Sequence, residues 1–252
     1  MSSASAVIRS QANDGVLEIT IDRPERKNAF TADMYAAFAS SLSEATISDA
    51  IKVVLVTGAG GNYSTGNDLQ DFLQSPPTGE KDPVFLFLRG LAQFPKPIVC
   101  AVEGFAVGVG TTMLLHADLV YAAPSAKFQL PFVNFGLVPE AGSSYLLPLL
   151  LGHLKASELC LLGDAIDGET ALRYGLVNKL VETDQLIDFA REKAHQIASR
   201  PAYAVQQTKA LFKQAHQVNT LTHMKAEEQI FLKLLRSPET INFLKSFFTR
   251  KK

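Results

Sequence analysis

Glu140 stands in the run FGLVPEAGSSYLLPLLLG, which is otherwise almost entirely apolar, small or turn-forming, and no other acid lies between Asp118 and Glu158. A lone carboxyl in such surroundings is either a helix cap or a proton carrier. In a pocket of low polarity its ionised form is disfavoured, its pKa rises, and it becomes a base suited to abstracting a proton near neutral pH. The competing role is a residue at the start of a helix over Ser143–Leu151, stabilised by the helix dipole.

Other reactive residue types offer less. Cys100 and Cys160 sit in apolar runs, PIVCAV and ELCLL, and read as small buried hydrophobes of a chain kept in a reducing compartment. The histidines at 116, 153, 195, 216 and 223 form no H-x-x-x-H or H-E-x-x-H set, so no metal site is expected, and His116 falls in a core helix. Gly58 and Gly60 end an apolar strand as a nucleotide-binding turn would, but Tyr63 stands where the third glycine belongs. Gly61–Gly66 begins like a phosphate loop, yet Asn67 and Asp68 follow in place of Lys and Ser/Thr. There is no G-x-S-x-G elbow.

The elements that must position Glu140 alternate between short β-rich runs and helices. Strands are predicted at Val16–Ile21, Ile51–Thr57, Ile98–Val102, Asp118–Ala122, Lys127–Leu130 and Val177–Val181. Helices are predicted at Thr31–Ala45 with Thr31 as cap, at Asp82–Phe94 before Pro95, and around Thr111–His116 after the glycine-spaced GFAVGVG. From Ser143 onward helix dominates, and beyond Pro201 the pattern is wholly helical over 202–216, 220–236 and 238–249. Alternation followed by a helical tail is an α/β core with a helical extension. The tail carries more apolar positions than three helices can bury alone, Phe212, Met224, Phe231 and Phe243 among them.

The chain has 252 residues, a formal net charge of -1 and no long basic block, so a nucleic-acid partner is not expected. No apolar run approaches the roughly 20 residues of a membrane span. The first residues lack a signal-peptide core, and the TRKK terminus is not an SKL-type address, so a cytoplasmic location without membrane partners is expected.

Three segments, taken together, point to a family. They are YSTGNDL at 63–69, PKPIVCAVEGFAVGVG at 95–110, and Ala126–Gly142 followed by LLGDAIDGETALRYGLVNKLV at 161–181. Their order and spacing resemble the crotonase, or enoyl-CoA hydratase/isomerase, superfamily over roughly residues 10–250. The resemblance implies a crotonase-like spiral of repeated ββα units over residues 1–200, and a helical C-terminal region over 201–252 used in assembly of a homotrimer or a dimer of trimers. It implies an acyl-CoA thioester as substrate and no further cofactor. By position, the backbone N–H groups of Asn67 and Val109 would form an oxyanion hole, with glycines at 104, 108 and 110 letting backbone approach the ligand.

The hydratases of the superfamily use two glutamates, and by position those sites are here Thr112 and Phe132. The segment Gly136–Tyr145 resembles instead that of the peroxisomal-type Δ3,Δ2-enoyl-CoA isomerases, which carry a single catalytic glutamate. The resemblance therefore implies fatty acid degradation, with Glu140 moving a proton from C2 to C4 of a 3-enoyl-CoA. Arg26 and Lys27 would meet CoA phosphates. Ser64, Thr65, Gly66, Asn67, Asp68 and Leu69 would contact adenine and pantetheine, with Gly108 on the same side. Asp68 is expected to be a helix cap. Phe132, Phe135 and Leu137 would keep Glu140 dry, and the acyl tail would lie among Phe72, Leu73, Phe85 and Leu88. Lys245 and Phe248 are placed against a neighbouring subunit's CoA. A hydratase with atypical acids and a non-catalytic acyl-CoA-binding homologue are the alternatives.

Overall fold

A computed structural model of the chain describes residues 7–249, and the side chains of Lys245 and Phe248 lie outside the described residues. Strands β1 (Val7–Asn13) and β2 (Val16–Asp22) form an antiparallel hairpin. Its two-residue turn, Asp14-Gly15, has both residues at positive φ, the geometry that matches the twist of paired strands. Sequence periodicity did not anticipate β1. Helix α1 (Ala32–Ile47) follows, capped as expected by Thr31, whose hydroxyl accepts the Met34 N–H at 3.3 Å. Next come β3 (Val53–Gly58), α2 (Leu69–Gln74), α3 (Pro83–Gln93), β4 (Ile98–Val102), β5 (Phe105–Val107) and α4 (Val109–Thr112). A 3-10 turn over Met113–His116 continues α4 and leads to β6 (Leu119–Ala122) and β7 (Lys127–Gln129). Then come α5 (Ser143–Leu151), α6 (His153–Leu162), β8 (Ile166–Asp167), α7 (Gly168–Tyr174) and β9 (Lys179–Leu180). Four helices close the described chain: α8 (Leu186–Ala198), α9 (Ala202–Gln214), α10 (Gln217–Leu235) and α11 (Pro238–Thr249).

The strands form two sheets. One has the order β1-β2-β3-β4-β6-β9, parallel from β2 onward; the other is β5-β7-β8. The chain repeatedly places one strand in the large sheet, the next in the small sheet, and then a helix: β4, β5, α4, then β6, β7, α5. That is the expected spiral of ββα units, in an α/β chain with a helical C-terminal region.

Both faces of the parallel strands are covered, which explains why Ile98–Val102 is apolar without alternation. Val53, Leu55, Val99 and Ala101 point to one side, where Ala190, Ala194 and Ala198 of α8 pack closely. Val54, Val56, Ile98, Cys100 and Val102 point into the main core with α1, α3 and the α4 turn. Helix α10 then folds back against α5 and α3, and α11 against α2 and the 3-10 turn at Val133–Phe135. Met224, Phe231 and Leu235 are buried by this packing, whereas Phe212 and Phe243 remain exposed.

Candidate active site

The loop after β3 lies between two pieces of backbone. Ser64 bridges to β5: its N–H donates to Phe105 O at 2.8 Å, and Val107 N–H donates to Ser64 O at 2.9 Å. On the other side Phe30 bridges to Asn67, with Phe30 N–H on Gly66 O at 2.7 Å and Asp68 N–H on Phe30 O at 2.8 Å. In a parallel bridge of this kind the central residue turns its own N–H and C=O away from the partner strand. Asn67 N–H accordingly meets no protein acceptor among the described residues. Val109 opens α4, so its N–H is one of the orphan donors of a helix start, and it too has no acceptor there.

Two glycines let these segments touch. A Cβ on Gly66 would lie 2.6 Å from Val107 O, and one on Gly110 would lie 2.5 Å from Ser64 O. Gly66 also needs φ +87, a region closed to most side chains. Two unpaired N–H groups are thus carried on adjoining backbones, an arrangement able to hold a negatively charged oxygen. The Asn67 side chain is fixed from below, because the buried Tyr35 hydroxyl donates to its Oδ1.

Glu140 is 4% exposed, and its Oε1 accepts the Thr112 hydroxyl at 2.9 Å, one turn of helix beyond Val109. Helix α5 starts at Ser143, as the sequence predicted, but Glu140 does not cap it. Its N-cap is Gly142, which has no side chain to offer, and the cap comes from Glu227 of α10. Glu227 Oε2 accepts the Gly142 N–H at 2.6 Å and its Oε1 accepts the Ser144 N–H at 2.8 Å. The Glu140 carboxyl is left with Thr112 alone among the described residues. Burial pushes Glu140 up to about 7; the Thr112 hydrogen bond pulls down and the charge of Glu227 pushes up. Such a carboxyl can take and return a proton near neutral pH. His116 is structural: burial depresses it to about 4, so it is neutral and its Nε2–H donates to Ala141 O at 2.8 Å.

A cleft of about 760 Å³ opens beside Asn67 and Gly108; Val109, Thr112 and Glu140 lie behind its lining and are not part of it. Arg26, Lys27, Thr65, Gly66, Asn67, Asp68 and Leu69 line it, together with Gly108, Phe132, Phe135 and Leu137. Arg26 and Lys27 are exposed at the mouth, with the Lys27 ammonium 4.6 Å from the Phe105 ring centre. Asp68 is the expected cap of α2, accepting the Gln70 and Asp71 N–H groups. Burial alone would raise its pKa, but the Arg23 contact at 2.7 Å and these N–H donors together lower it.

Ser64 is a correction: it is buried and off the cleft lining, donating to Asn28 O at 2.8 Å and accepting the Gly66 N–H at 3.1 Å, so it braces the loop. Phe85 and Leu88 are a second correction. They are buried in the main core, because α3 turns its apolar side inward, and Phe72 lies edge-on against Phe231. Phe231 and Phe243, from the C-terminal helices, line the cleft instead.

Sequence reasoning missed Tyr35, Glu227 and the contact of Thr112 with Glu140. Glu227 had a signal. Thr220, Met224, Phe231 and Leu235 mark the buried face of α10 at helical spacing, and an acid at position 227 of that face requires a buried donor.

The chain matches the family profile described as enoyl-CoA hydratase/isomerase over residues 11–252. It is 37% identical over 216 residues to the 1,2-epoxyphenylacetyl-CoA isomerase of Escherichia coli, covering 82% of this chain and 80% of that protein. It is 34% identical to enoyl-CoA delta isomerase 2 of Rattus norvegicus over 94% of this chain, but spans only 62% of that protein. Among solved structures, OdaA of Pseudomonas aeruginosa superposes with a TM-score of 0.94 at 42% identity, covering 96% of this chain and 99% of that one.

Proposed function

Because the chain belongs to the enoyl-CoA hydratase/isomerase family, we propose that it is an enoyl-CoA isomerase that shifts the double bond of a 3-enoyl-CoA to the trans-2 position in fatty acid degradation. One observation carries the reading. The position where a hydratase holds its first glutamate is here Thr112, and that hydroxyl is spent on Glu140. Phe132 stands at the second position, and Glu227 is engaged by two backbone N–H groups. A buried carboxyl held by one hydroxyl alone fits a reaction in which one base both removes and returns a proton.

In this mechanism the Glu140 carboxylate takes a proton from C2, the C2–H electron pair forms a C1–C2 double bond, and the carbonyl pair moves onto the thioester oxygen, giving a dienolate conjugated through C3 and C4. The N–H groups of Asn67 and Val109 stabilise that dienolate, at about 3 kcal/mol per well-placed donor. The Glu140 carboxyl then gives the same proton to C4, so no atom is gained or lost and no cofactor is required. Burial keeps the Glu140 carboxyl dry and basic, and Phe132, Phe135 and Leu137 line the cleft that takes the acyl chain. Arg26 and Lys27 receive the CoA phosphates. A ring-bearing acyl group is a second reading of the substrate. It is favoured by the five phenylalanines lining the cleft, at 105, 132, 135, 231 and 243, and by the substrate named for the Escherichia coli relative.

The assay is conversion of 3-hexenoyl-CoA to its conjugated isomer, followed by ultraviolet absorbance. Wild type converts it, and Glu140→Gln binds the thioester but loses nearly all of the rate. Equal rates for the two proteins, or hydration of crotonyl-CoA at the rate of isomerisation, would overturn the assignment.

The same reading extends to location and assembly: a cytoplasmic homotrimer or dimer of trimers. Leu149, Leu150, Leu154, Leu161 and Leu162 of α5 and α6, and Leu211 and Phe212 of α9, expose apolar surface that self-association would cover. Light scattering on the eluted protein is expected to give three or six times the chain mass, and a monomer would refute it. No helix among the described residues is long and apolar enough to cross a membrane.

A further inference from the structure

Glu140 is followed by two consecutive residues in the left-handed region, Ala141 at φ 62 and Gly142 at φ 74. For alanine that conformation is unfavourable, and it persists only where the surroundings hold it. Here the peptide joining the two residues is gripped at both ends. His116 Nε2–H donates to the Ala141 carbonyl at 2.8 Å, and Glu227 accepts the Gly142 N–H at 2.6 Å. The other Glu227 oxygen takes the Ser144 N–H at 2.8 Å, tying the turn to the first turn of α5. Helix α10 also presses on the turn directly, since a Cβ on Gly142 would meet Thr220 Cγ2 at 3.0 Å and Met224 Cγ at 3.3 Å.

Glu227 is itself buried, 5% exposed, and forms no ion pair among the described residues. A carboxylate placed so costs stability unless its N–H partners are held in place. Nothing about capping a nine-residue helix requires a charge brought from a residue 85 positions away.

We propose that Glu227 is a positioning residue for Glu140: its carboxylate fixes the left-handed turn at Ala141-Gly142 and thereby sets where the Glu140 carboxyl sits relative to the substrate's C2 and C4. The proposal rests on the isomerase reading above. Glu227 also acts through its charge, since an anion beside Glu140 makes that carboxyl harder to ionise.

The other titratable groups around the pair are distributed over several elements. Tyr35 of α1 feels the Glu140 charge, and His223 lies one turn back on α10. Cys160 of α6 feels the Glu227 charge, and His116 feels the charges of Lys209 and Lys213 of α9. Arg89 of α3 pairs with the adjacent Glu228 at 3.2 Å.

The test compares wild type, Glu227→Gln and Glu227→Asp on 3-hexenoyl-CoA, reading kcat, KM and the pH profile of kcat/KM. Gln removes the charge and leaves only one oxygen for two N–H groups. It is expected to lower kcat about 10- to 100-fold with KM nearly unchanged, and to move the acid limb, near pH 7 in wild type, to lower pH. Asp keeps the charge but withdraws it by one methylene. It is expected to lower kcat comparably while leaving the acid limb in place. Unchanged kcat in both variants, with Glu140→Gln inactive, would overturn this proposal and leave the isomerase reading standing. Full activity of Glu140→Gln would overturn the isomerase reading itself. Should Glu227→Gln not fold, Glu227→Asp decides: an unchanged kcat there overturns the proposal.

Discussion

Replacing Thr112 with valine removes one hydroxyl and nearly nothing else, because the two side chains have almost the same shape and position 112 is fully buried. In the native protein that hydroxyl donates to Glu140 Oε1 at 2.9 Å and stabilises the ionised carboxyl. A hydrogen bond to a charged group in such a setting is worth about 1.5 kcal/mol, and 1.36 kcal/mol corresponds to one pH unit. Thr112→Val is therefore expected to raise the Glu140 pKa from about 7 to about 8. At pH 7 the ionised fraction falls from about one half to about one tenth, so kcat/KM falls about fivefold. Near pH 9 the base is almost fully ionised in both proteins and the rates converge. The measurement is kcat/KM for 3-hexenoyl-CoA between about pH 5 and pH 10, alongside a thermal melt to confirm the fold. An acid limb with the same midpoint in both proteins would refute the argument that this carboxyl is the titrating base. The shift is opposite in sign to that expected for Glu227→Gln, so the two variants together separate loss of a donor from loss of a neighbouring anion.

Burial raises the Glu140 pKa from 4.5 to about 7, so between those values the folded chain keeps a proton that the unfolded chain has lost, and stability falls as pH rises through that window. Integrated, this is about 3 kcal/mol; Glu140→Gln is thus expected to match wild type near pH 4 and to exceed it by about 2–3 kcal/mol above about pH 8 in denaturant titrations, and no gain at high pH would contradict it. Gly110→Ala sets a Cβ 2.5 Å from Ser64 O and forces the Asn67 and Val109 backbones apart; kcat is expected to fall about 100-fold, and a full rate in a folded variant would remove the oxyanion hole from the mechanism. Lys27→Glu reverses an exposed charge at the cleft mouth; KM is expected to rise severalfold with kcat unchanged, the difference shrinking in high salt, and a salt-independent change would point to lost packing on Phe105 instead.

Much of the architecture could be read from the residues because its signals are local. Ile98–Val102 is a continuous apolar run and forms a strand with both faces covered. The helix expected at Ser143–Leu151 has those bounds, since Gly142 and Gly152 flank it. Glu140 was conspicuous because its neighbours are not polar. The elements that escaped have little local signature. β5 and β8 are three and two residues long and owe their existence to pairing with β7. β1 is an edge strand with mixed polarity, held by register against β2. The partners of Glu140 escaped for a different reason. Thr112 looked like a missing acid, and only the packing of α4 against the turn before α5 turns its hydroxyl into a donor for Glu140. Glu227 reaches the site through the return of α10 onto α5, a tertiary event that periodicity cannot register. Its placement on an apolar stripe was visible; its destination was not.

That return of α10 bears on the order in which the molecule is made. On a ribosome the two sheets, the loop at Asn67 and Glu140 itself all emerge before residue 227 is added. Until α10 docks, the turn at Ala141-Gly142 lacks the carboxylate that grips it. Docking closes a loop of 85 residues, a late and slow event in chain-closure terms. Catalytic competence should then lag behind the appearance of native-like circular dichroism during refolding, and the interval between the two signals would time the arrival of that helix.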